Sequence, residues 1–210
     1  MVWPARTIFW TSGFRKTIEE PKMTLSDLQI DKRWTLFLDR DGVINKRIVD
    51  GYVKTWSEFK FLPGVLDALP IITRRFGRAF IVTNQQGIGK GIMTEEELQA
   101  VHDRMLKEIR ERGGRIDKIY HSPYREEEGS GFRKPDTGMA RLAKADFPDI
   151  DFSKALMIGD SLTDMEFGKN AGMTTLLIAP GTAGSLRRPM ADLCFPDLPA
   201  VAATLEEALP

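Results

Sequence analysis

The chain has 210 residues, of which 42% are hydrophobic and 29% are charged. This length and composition fit one globular domain with a sizeable hydrophobic core. Thirty basic and thirty acidic residues cancel, so no overall field attracts nucleic acid or an anionic membrane surface. We therefore expect neither nucleic acid nor a membrane as a partner.

Two further features of the sequence indicate the cellular environment of the protein: the number of cysteines and the length of the apolar runs. Cys194 is the only cysteine, which excludes an internal disulfide and a cysteine-rich metal site. A reducing environment is the natural setting for such a chain, and no apolar stretch approaches the roughly 20 residues that span a bilayer. We expect a cytoplasmic monomer.

The first 33 residues stand apart from the rest. We treat residues 1–33 as an N-terminal extension of uncertain order and residues 34–210 as one domain. Residues 1–22 lack the apolar centre and the small-residue cleavage site of a secretory signal. Two alternatives stay open for them: a flap packed on the sheet, or an artefact if translation starts at Met23.

Segments typical of strands and helices alternate from residue 34 onward. Short apolar runs predict five strands, at 34–38, 78–83, 116–121, 155–158 and 174–178. Apolar residues at helical spacing predict helices at 63–76, 94–112, 163–171 and 198–209, and one that starts at Pro135. This alternation predicts an α/β fold: a doubly wound, mainly parallel sheet with helices on both faces.

Two local signals refine this prediction. Thr94 and Glu97 have the spacing of a capping box at the start of a helix. Residues 45–61 read as a loop or a short hairpin whose turn lies at Asp50-Gly51.

A pair of carboxylates ends the first predicted strand. Asp39 and Asp41 lie two residues apart, so an extended chain points both side chains the same way. They would lie past the carboxyl end of the strand, where open α/β sheets bind their ligands. Two like charges this close repel unless a cation lies between them or one carboxyl takes a proton.

Polar groups follow three later strands as well. The second strand leads into Thr83, Asn84 and Gln85 and then a glycine-spaced turn, which can direct backbone N–H groups at an anion. Lys134 precedes Pro135, which we expect at the first position of a helix.

The fourth strand ends in Gly159-Asp160, and Asp164 follows four residues later. Asp164 either joins the site or is a helix N-terminal residue favoured by the macrodipole. Carboxylates that converge without histidine or cysteine favour a hard, oxygen-binding ion, which predicts Mg²⁺. A threonine, a lysine and backbone N–H groups beside that ion favour a phosphate.

With these four motifs in this order, the sequence resembles the haloacid dehalogenase superfamily over about residues 34–200. Residues 38–45, 50–53, 82–88 and 133–135 are similar to the branch of heptose bisphosphate and histidinol-phosphate phosphatases. The resemblance implies an active site without a separate cap domain. It implies a Mg²⁺-dependent phosphatase of a small phosphorylated metabolite, with the 7-phosphate of heptose 1,7-bisphosphate as the leading substrate and histidinol phosphate as the alternative.

The resemblance also implies residue roles. Asp39 would be the nucleophile that forms an aspartyl-phosphate, and Asp41 the acid and then the base. Mg²⁺ would be held by Asp39, the backbone carbonyl of Asp41 and Asp160. Thr83 and Lys134 would bind the transferring oxygens. The remaining candidates for substrate binding are Asp50, Gly51, Tyr52, Asn84, Gln85 and Arg133, and Ser161 and Asp164 complete the set.

One segment departs from the family pattern. Many members carry a zinc loop of cysteines and histidine where residues 121–132 stand, but this segment has one histidine and no cysteine. One ligand cannot form a tetrahedral site, so we predict no zinc. Because that loop also shapes substrate choice in the family, its loss weakens the heptose assignment specifically.

Two other classes share some of these residues. A phospho-accepting receiver domain uses aspartates, Mg²⁺, a threonine and a Lys-Pro, but there Lys-Pro comes last, whereas here Gly159-Asp160 follows Lys134-Pro135. A nucleic-acid 3′-phosphatase is disfavoured by the balanced charge. Of the two histidines, we expect His102 at the protein surface and regard His121 as a weak candidate for substrate contact.

Overall fold

The computed structural model describes residues 23–181 and 191–207. A six-stranded, fully parallel sheet in the order β3-β2-β1-β4-β5-β6 lies at its centre. The strands are β1 (Thr35–Leu38), β2 (Arg78–Asn84), β3 (Lys118–Ser122), β4 (Ala155–Gly159), β5 (Thr174–Ile178) and β6 (Leu193–Phe195). The helices are α1 (Val65–Thr73), α2 (Glu95–Glu111), α3 (Gly138–Asp146), α4 (Leu162–Ala171) and α5 (Leu198–Glu207).

Helices cover both faces of the sheet because successive strand residues point to opposite sides. Leu36 and Leu38 of β1 belong to the apolar cluster formed with α1, α2 and α5. Phe37, between them, belongs to the cluster formed with α3 and α4. All four residues of β1 are buried, as expected for a central parallel strand. The predicted doubly wound fold is confirmed.

Two differences from the predicted elements have local causes. Helix α3 begins at Gly138 rather than at Pro135, because residues 134–137 form turns that carry the chain into the helix. Strand β6 was not predicted, since three residues are too short to show a pattern, and it gains its pairing from β5. The predicted end of the last helix, at residues 208 and 209, lies outside the described residues.

The described part of the N-terminal extension packs on the core. Leu25 and Ile30 are buried in the same apolar cluster as β1 and α1, and a 3₁₀ turn at Ser26–Leu28 connects them. Residues 1–22, for which a flap and an artefact are the alternatives, lie outside the described residues.

The segment between β1 and α1 forms no separate cap domain in the described structure. Residues 46–64 contain turns, and one isolated antiparallel bridge joins Asn45 to Phe61, so of the two predicted alternatives the segment forms a loop rather than a hairpin of paired strands. Val53 and Phe59 are buried in the main core, so this segment packs directly on the domain. None of the helices within residues 23–181 and 191–207 has the length and apolar character to cross a membrane.

The capping box at α2 is present and generates a prediction about stability. The Thr94 hydroxyl accepts a hydrogen bond from the Glu97 N–H at 3.2 Å, and the Glu97 carboxylate accepts one from the Thr94 N–H at 2.8 Å. We expect Thr94→Ala to lower the free energy of unfolding by about 1 kcal/mol in urea denaturation. Thr94→Ser keeps the hydroxyl and should retain most of that stability. Equal losses in both variants would contradict this account.

Candidate active site

The site lies at the carboxyl ends of β1 and β4, the neighbouring central strands. The chain leaves β1 toward β2 on one side and leaves β4 toward β5 on the other, which opens a crevice at this switch point. A cavity of about 290 Å³ occupies the crevice. Residues from four segments of the chain line it, among them Asp39, Asp41, Arg47, Tyr52, Thr83, Arg133 and Ser161.

Lys134 is the centre of the buried polar network. Its Nζ donates to Asp39 Oδ1 at 2.7 Å, to Asp164 Oδ1 at 2.6 Å and to the Val82 carbonyl at 2.8 Å. These three acceptors use all three ammonium protons. The Lys134 side chain is only 3% exposed, so the loop after β3, the end of β1 and the start of α4 are joined by one buried charge.

Burial and mutual repulsion raise the pKa values of two carboxyls. Burial raises the pKa of Asp39 to about 7, against the opposing charge of Lys134. Burial raises the pKa of Asp160 to about 6, against the opposing charge of Arg47. Burial disfavours the charged form of Lys134 too, but the carboxylates of Asp164 and Asp39 outweigh it and raise the pKa of Lys134 above its usual value. The lysine therefore remains an ammonium.

Three carboxylates lie close together beside Lys134. Oxygen atoms of Asp39, Asp160 and Asp164 lie within 4.8 Å of one another. A donor set made only of oxygens suits Mg²⁺. Gly42 makes room for this cluster, since a Cβ there would lie 2.0 Å from Asp160 Oδ2, and its φ of +99° also favours glycine. The residues present therefore fit a magnesium ion.

Both alternatives for Asp164 apply. It is the third residue of α4, and its Oδ2 accepts a hydrogen bond from the Ser161 N–H at 3.1 Å in a capping box. Its other oxygen accepts from Lys134. One carboxylate thus fixes the start of α4 and helps to hold the lysine of the site.

Asp41 has a different surrounding from Asp39. Arg40 donates to both of its oxygens, at 3.0 and 2.8 Å, and the amides of Asn45 and Gln85 donate at 2.8 and 2.9 Å. Burial disfavours the Asp41 carboxylate, but the Arg40 charge and these donors lower the pKa of Asp41 below its usual value. The two aspartates of the motif therefore lie in different electrostatic environments, and the ionised form is favoured more strongly at Asp41 than at Asp39.

The expected surface position of His102 is wrong. His102 is 2% exposed, and its Nε2 lies 3.0 Å from Arg40 Nη1. Burial, with the neighbouring Arg40 charge, lowers the pKa of His102 to about 3, so the ring is neutral and accepts from Arg40. His102 lies on the buried face of α2, where its ring contacts the fully buried Arg40.

Arg40 is not among the site residues predicted from the sequence, although the sequence contains a signal for it. If Asp39 and Asp41 face the crevice, the residue between them must point away from it. A charged residue at that position of a buried strand end has to be paired inside the protein. Arg40 meets this requirement with Asp41 and His102.

The predicted amide residues contact the network from the other side. Asn84 exchanges two hydrogen bonds with the backbone of Lys134, at 3.0 and 3.1 Å. Gln85 donates to Asp41 and to the Thr83 hydroxyl, at 2.9 and 2.8 Å. Asn84 and Gln85 therefore orient Lys134 and Asp41 while they also line the cavity.

The rim of the cavity carries the remaining candidates. Gly51 and Tyr52 line it, whereas Asp50, at a φ of +53°, is not among the lining residues. Lys90 donates to the Tyr52 hydroxyl at 3.1 Å. Arg133 lines the cavity and has a buried Nη1 without a hydrogen-bond partner in the described structure. His121 instead contacts Glu95, at 2.8 Å.

Comparison with known sequences agrees with this geometry. A HAD-hydrolase-like family model matches residues 131–207. The D-glycero-alpha-D-manno-heptose-1,7-bisphosphate 7-phosphatase of Campylobacter jejuni is 42% identical over 147 residues, 70% of this chain and 83% of the relative. The D-glycero-beta-D-manno-heptose-1,7-bisphosphate 7-phosphatase of Bordetella bronchiseptica is 34% identical over 146 residues, 70% of this chain and 80% of the relative.

Solved structures agree as well. The D,D-heptose 1,7-bisphosphate phosphatase of B. bronchiseptica, complexed with magnesium and phosphate, superposes with a TM-score of 0.73 at 32% identity. That alignment covers 84% of this chain and 99% of the other. The corresponding phosphatase of Burkholderia thailandensis gives a TM-score of 0.58 at 28% identity, over 82% of this chain and 98% of the other. The chain therefore belongs to the haloacid dehalogenase superfamily of phosphatases.

The buried histidine generates a pH prediction. The folded protein holds His102 neutral down to pH about 3, whereas the unfolded chain binds a proton below about 6.5. The unfolded state therefore binds more protons in this window, and stability falls as the pH drops. When the pH falls from 7 to 5, protonation of His102 in the unfolded chain should lower the free energy of unfolding of the wild type by about 2 kcal/mol.

The measurement is urea denaturation of the chelator-treated protein at pH 7 and at pH 5. His102→Gln should lose about 2 kcal/mol less than the wild type over this interval. If His102→Gln keeps the wild-type pH dependence, His102 is not neutral in the folded protein.

Proposed function

We propose that this protein removes the 7-phosphate of D-glycero-D-manno-heptose 1,7-bisphosphate with Mg²⁺ as cofactor. The observation that carries the proposal is the buried contact between Lys134 and Asp39, beside the Asp160–Asp164 carboxylates. It supplies a nucleophile, a phosphate-binding cation and a metal-binding set at one cavity. The names of the relatives at 34–42% identity support the choice of sugar.

The first step forms an aspartyl-phosphate. A carboxylate oxygen of Asp39 attacks phosphorus as the bond from phosphorus to the sugar oxygen breaks. Lys134 and the Thr83 hydroxyl bind the phosphoryl oxygens, and Asp41 gives its proton to the departing sugar oxygen. Lys134, already 2.7 Å from Asp39 Oδ1, favours the ionised form that attack requires.

The second step releases phosphate. Asp41, once ionised, takes a proton from a water molecule that attacks phosphorus, and the Asp39 carboxylate leaves. The donors from Arg40, Asn45 and Gln85 favour the ionised Asp41 that this step needs. The first step needs the protonated form of Asp41, and the proton that Asp41 takes from the water in the second step restores it.

The metal would be held by Asp39, Asp160 and the backbone carbonyl of Asp41. When bound there, Mg²⁺ offsets the repulsion between carboxylate and phosphate and stabilises the charge that develops during transfer. Asp164, already bonded to Lys134 and to the start of α4, orients the site from behind.

The cavity rim fits a second anionic group. Arg133 and Tyr52 line the cavity, and Lys90 reaches the Tyr52 hydroxyl. We propose that Arg133, Gly51 and Tyr52 contact the sugar phosphate, with Asp50 and Ser161 contributing at the edge of the site. The absence of cysteine from residues 121–132 leaves our prediction of no zinc in place.

Replacement of the nucleophile tests the chemistry. Asp39→Asn should lower kcat by at least about a thousandfold, because an amide cannot form the acyl-phosphate. Asp103→Asn, at an exposed position on α2, is the matched control and should keep wild-type turnover. Circular dichroism checks that both variants fold. Substantial residual turnover in folded Asp39→Asn would remove Asp39 from this role.

A substrate panel tests the specificity. We expect the highest kcat/KM on one anomer of heptose 1,7-bisphosphate, with lower values on histidinol phosphate and a 3′-phosphorylated oligonucleotide. Release of the 7-phosphate is followed by ³¹P NMR. A clear preference for histidinol phosphate would identify the alternative substrate. Single-turnover self-dephosphorylation with no steady hydrolysis would instead identify a receiver-like protein.

A further inference from the structure

Arg47 contacts two oxygens that the proposed function assigns to the metal. Its Nη2 donates to Asp160 Oδ1 at 2.7 Å and to the backbone carbonyl of Asp41 at 3.1 Å. Asp160 is mostly buried, whereas half of the Arg47 side chain is exposed. Arg47 has no distinguishing signal in the sequence, because a basic residue in a polar loop usually lies in solvent.

The guanidinium and a divalent cation cannot use these oxygens together. Mg²⁺ binds oxygen at about 2.1 Å, so an ion placed on both oxygens would overlap with the guanidinium nitrogen that now contacts them. The two positive charges would also repel each other at this distance. Metal binding through these two oxygens would therefore displace Arg47 from Asp160.

The displaced side chain has a restricted range. The loop is tied to the domain by the hydrogen bond from the Lys46 N–H to the Lys60 carbonyl, at 2.8 Å, and by buried Val53. Residues 46–51 between these points are exposed. Arg47 thus stays at the cavity that it already lines, together with Tyr52.

We propose that Arg47 is a metal-released anchor: it neutralises Asp160 until the divalent cation binds, and then binds the second phosphate of the substrate. The release of Arg47 by the metal concerns only the acidic cluster of Asp39, Asp160 and Asp164. The binding of the second phosphate rests on the proposed function. Two other cations lie near the cavity: Arg133 lines it, and Lys90 donates to the Tyr52 hydroxyl. The order of binding would then be metal first and bisphosphate second.

Titration of metal alone tests the first half. Isothermal calorimetry with Mg²⁺, or Mn²⁺ as a probe, is applied to chelator-treated protein without substrate. Arg47→Gln should bind the ion several-fold more tightly than the wild type, because the ion no longer has to displace a cation. Lys46→Gln removes the same charge from the neighbouring exposed position and should change affinity by less than twofold. Equal affinities for the two variants would overturn the exchange.

Selectivity between one and two phosphates tests the second half. At saturating Mg²⁺, Arg47→Gln should lower the ratio of kcat/KM for heptose 1,7-bisphosphate over heptose 7-phosphate by about tenfold, through KM rather than kcat. Lys46→Gln should keep the wild-type ratio. An unchanged ratio in Arg47→Gln would overturn the anchoring role. If the wild type hydrolyses neither sugar, the proposed function fails by itself, and the metal titration still decides the exchange.

Discussion

This site depends on one buried ammonium group that is shared among carboxylates from distant parts of the chain. Lys134 bonds to Asp39 after β1 and to Asp164 at the start of α4, and all three side chains are almost fully buried. Buried carboxylates without a partner would be costly to ionise, and removal of one partner from such a pair leaves an uncompensated charge. The loop after β3, the end of β1 and α4 are therefore held in register by electrostatics as well as by the sheet.

The topology of the sheet makes this arrangement available. With β1 and β4 adjacent at the centre, the segments that follow them diverge and leave a crevice at their carboxyl ends. Asp39 and Asp160 enter the crevice from these two strands, and Gly42 provides the space in which the Asp160 carboxylate lies. The apolar clusters on both faces fix the strands rigidly, so the polar groups at their ends are positioned without support from a separate cap.

The balance of charge around the cavity links the parts of the site. Arg40 pairs with Asp41, Lys134 with Asp39 and Asp164, and Arg47 with Asp160. Two of these cations are fully buried, but Arg47 is half exposed, so it is the one that an incoming ion can replace at low cost. The same physical rule, that buried carboxylates require a cation, accounts for the fixed lysine, for the buried Arg40–His102 contact and for the fit of the cluster to magnesium.

Hydrophobic periodicity and motif spacing are local properties, so they predict five of the six strands, the helices between them and the polar residues that follow the strands. Asp39, Thr83, Lys134 and Asp160 were thus predicted together, and so was the capping box at Thr94. The burial of His102 was not, since its position near the edge of an amphipathic helix does not reveal which side chain lies beneath it. The start of α3, strand β6 and the contact of Arg47 with Asp160, 113 residues away, were likewise decided only by the tertiary structure. Each of these depends on which distant segments pack against each other, and that information is absent from any short window of sequence.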